Sequence, residues 1–361
     1  MPIPFKLMTR RSRTALEDKS ITSESQYNTI DLPQNGYLGS LVVQVYGTLA
    51  TNATAAGTWD ANYWPYNLLN SIALRSNEGL EVYRTSGYTN KLVQIVDRIG
   101  HSPDESPTVI GTVQGTQGSK VGSIQFPTGT IAISTTYHVL VTYRIPIAVD
   151  DSLAAGLLLL QHQATRLTID TQLNTLAKMG FTAGSAAIAL TQRASMEWYS
   201  VPTSPDAQPN LDFIHRWIED TQSWTASGDQ RYKVPVNGIV SRVIVDLENN
   251  GVPMVFFATA NQPGSVNLGN VGVEYASSQR TEWEDAKIFM SRARRQWSQD
   301  LPDGVLVHDF SQGGGSPLMW DGRDTYDTGA LTEFAIVTNL TVTPTNGKIR
   351  YTREQLDRRV A

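Results

Sequence analysis

Leu32-Pro33-Gln34-Asn35-Gly36-Tyr37-Leu38-Gly39-Ser40-Leu41-Val42-Val43-Gln44-Val45 carries the information that decides the fold. Asn-Gly is a strong turn signal, and the run after it is rich in β-branched and aromatic residues that favour strands. The pattern returns 202 residues later as Val234-Pro235-Val236-Asn237-Gly238-Ile239-Val240-Ser241-Arg242-Val243-Ile244-Val245-Asp246-Leu247. Both copies read apolar-Pro-x-Asn-Gly and then an apolar run. Two such entries can also arise by coincidence in a turn-rich β chain. Their place at the same point of two similar-sized halves favours a tandem of like domains.

Working outward from the first copy, short strand candidates lie at residues 71–74, 80–83, 124–126, 131–133, 137–147, 166–173, 186–190 and 196–201. Gly, Pro, Asn and Ser clusters separate them, as turns require. One helix candidate, residues 89–99, interrupts them. Residues 202–210, with three prolines, cannot hold a ladder or a helix and mark a domain boundary. After the second copy come strand candidates at 254–258, 305–309, 334–337, 340–343 and 348–352. A helix is predicted from Thr281, whose side chain forms a capping box with Glu284. Trp283, Ala286, Met290, Ala293 and Trp297 fall on one of its faces. Acidic residues occupy its start and Arg292, Arg294 and Arg295 its end, as the helix dipole prefers. Many short strands with regular turns predict an all-β chain of sandwich type. The expected divisions are an N-terminal arm, 1–30, a first β-domain, 31–203, and a second, 204–361.

Composition agrees and excludes. Forty per cent of the 361 residues are hydrophobic, enough for ordinary cores. Only 17% are charged, below the usual ~25%, and the polar remainder is rich in Thr, Ser, Asn and Gln. Such surfaces suit broad, wet subunit contacts better than a catalytic cleft. With a net charge of −5 there is no global basic footprint for nucleic acid. The absence of cysteine excludes disulfides, thiolate metal sites and cysteine nucleophiles. No apolar stretch approaches the ~18–20 residues of a membrane helix, and no signal-peptide core follows the N-terminal basic residues.

Catalytic patterns are sparse. His101, His138, His162, His215 and His308 show no metal-ligand spacing. Residues 111–120 lack the order of a phosphate loop, because Ser119 precedes Lys120. Asp321, Asp324 and Asp327 do not match a calcium loop and read as a polar loop. Glu197-Trp198 and Glu282-Trp283-Glu284 are the only close pairings of the kind a glycanase would need, and Glu197 has no second carboxylate beside it. The reading is therefore no enzyme, no catalytic residue, no metal and no cofactor. The alternatives are a β-sandwich glycan-binding spike or adhesion module, or a double-sandwich glycan hydrolase. The one charged cluster that stands out is Lys6, Arg10, Arg11 and Arg13. It precedes residues 14–17, predicted as a helical turn, and forms an arm that could meet an anionic membrane or a neighbouring subunit.

The ordered segments Tyr143-Arg144-Ile145-Pro146-Ile147, Asp151-Ser152-Leu153 with Gly156, and Arg166-Leu167-Thr168-Ile169 resemble the middle of a known family. So does the later run from Ser278-Gln279-Arg280-Thr281 through Asp300-Leu301-Pro302-Asp303-Gly304-Val305 to Ile349-Arg350-Tyr351-Thr352-Arg353. The chain resembles the double-jelly-roll major capsid proteins of tectivirus-type bacteriophages, which are tailless and icosahedral with an internal membrane. Residues 1–30 and 101–123 lie outside the resemblance. It implies two tandem eight-stranded jelly rolls with a few short helices in loops. It also implies homotrimeric, pseudo-hexagonal capsomers tiling an icosahedral shell around a membrane. Implied partners are neighbouring capsomers, lipid and minor capsid or vertex proteins, with no specific nucleic acid. The implied location is the virion capsid, after synthesis in the host cytoplasm. Residues 48–61 and 101–116 are then candidates for long loops at the ends of the sandwich.

Overall fold

A computed structural model gives the fold and describes the chain apart from residues 1–4, 54–56, 61, 98–128, 149–155, 162–165, 183, 205, 206, 210, 212, 237, 256–266, 276–278, 287, 290–300, 311–325 and 359–361. The chain forms two compact units that divide between Ile218 and Glu219.

In the first unit a short helix α1 (Phe5–Met8) precedes strands β1 (Arg11–Ala15), β2 (Lys19–Ile21), β3 (Tyr27–Asp31) and β4 (Tyr37–Thr51). Then follow β5 (Gly57–Thr58), β6 (Leu69–Ser76), β7 (Glu81–Thr85), helix α2 (Gly87–Val96), β8 (Thr130–Ile131), β9 (Thr136–Pro146) and β10 (Leu158–Leu159). The unit's last elements are β11 (Leu167–Leu173), helix α3 (Leu176–Met179), β12 (Ala186–Tyr199) and the opening residues of β13 (Phe213–Trp224).

β4 is the centre of one sheet. β12 runs antiparallel along one side of it for its whole length, and β9 and β10 occupy the other side. Its inward residues Leu41, Val43 and Val45 are fully buried while Gln44 and Tyr46 are only partly so, the alternation a pleated strand imposes. A second sheet runs β7-β6-β11-β3, and Trp217 and Ile218 of β13 pair in parallel with Tyr83 and Arg84 of β7. Helix α2 starts where Ser86 accepts a hydrogen bond from the Thr89 backbone N–H, a normal N-cap. It begins two residues before the expected start and is buried on every side.

The second unit continues β13 and adds β14 (Gly228–Lys233), β15 (Ile239–Asn249), β16 (Val252–Pro253), β17 (Leu268–Tyr275) and β18 (Gln279–Asp285). It ends with β19 (Val305–Asp309), β20 (Tyr326–Asp327), β21 (Phe334–Leu340) and β22 (Gly347–Arg358). Here β15 is central, with β22 on one side and β16, β19 and β20 on the other. The sheet β14-β21-β17-β18 supplies the other layer. Val243, Val245, Leu247, Ile349 and Tyr351 meet Val271, Val273, Phe334 and Ile336 in one core cluster, as two sandwich layers do.

The sequence echo has a structural counterpart. Each central strand begins directly after the turn glycine, β4 after Gly36 and β15 after Gly238, and each pairs with the last long strand of its half. Each also carries one extra residue in that pairing, a β-bulge. Glu197 pairs with Ser40 and Trp198 with Leu38, leaving Gly39 over. Val240 pairs with Gln355 and Arg242 with Glu354, leaving Ser241 over. The two bulges sit three residues after their glycines, at the same 202-residue offset as the echo.

Several expectations are corrected. Residues 14–17 make no helical turn: Thr14 and Ala15 belong to β1, because the β12 edge offers ladder partners. Residues 1–30 are not simply an arm, since β1, β2 and β3 are all paired. Residues 186–190 and 196–201 are parts of one strand, β12. Thr48 to Thr51 stay in β4 and are not loop. The helix predicted from Thr281 starts no earlier than Ala286: Thr281 and Glu284 lie in β18, paired with Val273 and Val271. A capping box is worth about 1 kcal/mol, less than a sandwich edge of ladder bonds and packed side chains. Residues 290–297 of that prediction, residues 124–126 and 111–120, His101, His162, Asp321 and Asp324 lie outside the described residues. β13, with its polar Glu219, Asp220, Thr221 and Gln222, is a strand that no apolar alternation in the sequence marks.

Candidate assembly site

The basic cluster is drawn onto the edge of β12. β1 adds to that edge with Arg11 opposite Tyr199, Arg13 opposite Glu197 and Ala15 opposite Ser195. Strand alternation puts Arg11 and Arg13 on one face, and both guanidiniums pair with the Glu197 carboxylate. Glu197 is buried, 6% exposed, whereas the arginine side chains remain 51% and 70% exposed. From β4, the Ser40 hydroxyl donates to the same carboxylate at 2.9 Å.

Around this clasp the Trp198 indole N–H donates to Thr14 Oγ1 at 2.9 Å. Arg10 exchanges two hydrogen bonds with Ser200, its N–H donating to Ser200 Oγ at 2.9 Å and its carbonyl accepting from Ser200 N–H at 3.0 Å. The Arg10 residue is exposed. Lys6 lies in α1, its side chain outside the described residues. Next to it Phe5 is buried edge-on against Tyr37 (5.8 Å) and Tyr199 (5.4 Å). Downstream, Arg193 donates two hydrogen bonds to the exposed Asp18, at 3.0 and 2.8 Å.

Burial alone would raise the Glu197 pKa. The Arg13 and Arg11 guanidiniums and the Ser40 hydroxyl outweigh it and hold the carboxyl at about 2. The folded value thus lies below the ~4.3 of an unstructured glutamate. The stabilisation is fully present above about pH 4.3 and is lost as pH falls toward 2. The amide protection factors of residues 11–15, each rate taken against its intrinsic rate at that pH, should therefore be full at pH 5 and fall between pH 4 and 2. Glu197→Gln should weaken protection at pH 7 and remove the acid transition. Protection unchanged down to pH 2 would contradict the clasp.

The second unit holds a related but internal arrangement. On the β15–β22 pair, Ser241 Oγ donates to Glu354 at 2.7 Å, and Arg242, opposite Glu354, approaches the same carboxylate at 3.1 Å. Arg350, opposite Asp246, pairs with Asp246 and Glu248. Arg353 pairs with Asp220 and donates to the Tyr232 hydroxyl at 2.8 Å. Burial pushes the Asp246 carboxyl above the usual range, and the adjacent Arg350 opposes it. Opposite charges directly across a ladder fix its register.

The other singled-out residues do not converge. Exposed His138 lies on β9, His215 is buried with Nδ1 3.0 Å from the Ile147 carbonyl, and buried His308 lies on β19. Asp327 caps the turn at Thr328–Ala330. Among the described residues no group of three or more His, Asp or Glu is placed to hold a metal. Among the described residues no helix is long and apolar enough to cross a membrane. In the sequence Glu197 is a carboxylate without a carboxylate partner. Its arginine partners lie more than 180 residues away on β1, where the Arg-x-Arg alternation is their local trace.

The two sandwich units in tandem define a double jelly roll. No protein-family model matches the sequence, and no curated protein matches it. Solved structures match along nearly the whole chain. The major capsid protein of Sulfolobus turreted icosahedral virus is 13% identical, with a TM-score of 0.65 over 96% of this chain and 97% of that one. The PBCV-1 virus capsid gives 11% identity and a TM-score of 0.66 over 98% and 97%. The major capsid protein of bacteriophage PM2 gives 8% and 0.53 over 97% and 99%. At these identities the likeness is one of fold.

Proposed function

We propose that the chain is a non-enzymatic major capsid protein. It works in the virion capsid, as a homotrimer of pseudo-hexagonal outline that tiles an icosahedral shell around an internal membrane, in the manner of tectivirus-type phages. The observation that supports this most is the span of the likeness: both units, in order, follow capsid proteins over 96–98% of the chain. On this reading the first jelly roll yields to the second near residue 203, in the Pro-rich segment 202–210. Concentrated protein viewed by electron microscopy should form closed shells or pseudo-hexagonal sheets; a dispersed monomer at every concentration would overturn the reading.

Lys6, Arg10, Arg11 and Arg13 face lipid or a neighbouring subunit on this reading. Each basic residue near an anionic surface adds about 1 kcal/mol, roughly five-fold in binding. Arg11 and Arg13 already serve Glu197, so the lipid alternative leans on Lys6 and Arg10. Neutralising all four should lower flotation with phosphatidylserine vesicles if lipid is the partner. Unchanged flotation leaves the neighbouring subunit.

A further inference from the structure

Resting on the coat-protein reading, we propose that the β12 edge centred on Glu197 is a docking groove for an Arg-x-Arg strand, and that in the assembled state a second copy's N-terminal segment fills it. The two halves of the chain make the case. In the second unit the bulge serine and the glutamate of the last strand, Ser241 and Glu354, are completed by Arg242 of the same sheet. In the first unit the bulge residue is Gly39, and Ser40, which stands opposite Glu197 at the place Arg242 takes opposite Glu354, donates to the Glu197 carboxylate. The first sheet thus presents a buried carboxylate with no arginine opposite it on β4, and takes its cations from a terminal segment.

The receptor belongs to the body of the unit. The bulge at Gly39 sets the register of Glu197, Ser40 holds its carboxylate, and Tyr37 and Tyr199 form the aromatic slot that takes Phe5. The occupant contributes little core of its own. No residue of β1 is buried, so the strand is held by edge hydrogen bonds and the two ion pairs. This is strand addition to a sheet edge, with side-chain pockets giving specificity. A second copy's segment makes every one of these contacts identically. The tether that keeps β1 on its own chain is Leu16-Glu17-Asp18, held to β12 by the Leu16 N–H donating to the Ala194 carbonyl at 2.8 Å and by Arg193 on Asp18, with Glu17 and Asp18 exposed. Exchange of an identical element across a short hinge is an inexpensive route to association.

The chain has no cysteine, so disulfide trapping on the full-length protein is clean. Ala15 and Ser195 are direct cross-strand partners, one exposed and the other half-buried, at a separation that a disulfide bridges. Ala15→Cys chains and mass-tagged Ser195→Cys chains are mixed, concentrated until they oligomerise, and oxidised. The mixed adduct should exceed either same-variant adduct by on the order of ten-fold, and Glu197→Gln on the Ser195→Cys chain should cut it by a similar factor. The double variant Ala15→Cys/Ser195→Cys reports the native register and should run as a ladder of linked chains. Oligomers whose double variant closes only within single chains would overturn the exchange and leave the coat-protein reading standing. A sample that stays monomeric and closes only within chains would overturn both.

Discussion

Arg350→Met should destabilise the second unit by about 3–5 kcal/mol, the usual cost of breaking a buried ion pair from one side. Arg350 is only 10% exposed and lies between Asp246 and Glu248, themselves 2% and 11% exposed. Methionine fills much of the same volume, so the loss is not chiefly a cavity. Two carboxylates are left in a low-dielectric setting without their main countercharge, and one must take up a proton or admit water. Burial already pushes the Asp246 carboxyl upward, and the substitution removes the Arg350 charge that opposes it. The variant should unfold earlier in urea and lose on the order of 10 °C in Tm. The compound variant Asp246→Leu/Glu248→Leu/Arg350→Met should regain most of that loss, because an apolar replacement of a whole buried cluster is often neutral or better. A single variant within about 1 kcal/mol of the parent would mean that the pairs add little beyond register.

Gly36→Ala should be nearly as damaging, at roughly 2–5 kcal/mol, from left-handed backbone strain together with overpacking. Gly36 has φ of +54°, and a Cβ there would lie 2.1 Å from the Tyr199 carbonyl oxygen and 3.0 Å from the Trp198 ring. The obstacle is backbone of the last strand, which cannot swing aside without opening the β4–β12 ladder. Gly79 is the control. Its φ is +85°, but no atom lies within 4 Å of its added Cβ, so Gly79→Ala should cost only the conformational part, about 1–2 kcal/mol. Gly36→Asn separates the two causes further, since asparagine tolerates the φ but still carries the Cβ. Urea midpoints of the three variants give the comparison. A Gly36→Asn protein as stable as the parent would show that close approach to Tyr199 is unimportant.

The turn glycines also show how far the sequence could be read. Pro-x-Asn-Gly followed by an apolar run places the starts of the two central strands, Tyr37 and Ile239, because turn chemistry and period-2 burial are both local. Strands with a clean apolar face, such as β19 and β11, were legible for the same reason. The errors fall where tertiary pairing overrode a local preference. Thr281 and Glu284 satisfy every local rule for a helix start, yet they pair with Val273 and Val271 across a sandwich edge. β13 was missed because Glu219 and Asp220 are spent on arginines of β22, over 130 residues away, so its alternation carries charge instead of grease. The assembly site was half visible. Arg11 and Arg13 stood out as a cluster, but their partner Glu197, their strand geometry and the bulge beneath them are set by long-range pairing that no local pattern encodes.

The measurement that bears most directly on the central claim is the solution mass of the native protein, by light scattering after size exclusion. The coat-protein account predicts a dilution-stable trimer, about three times the 39.7 kDa chain, or larger assemblies built from it. A monomer that persists at high concentration would contradict the account.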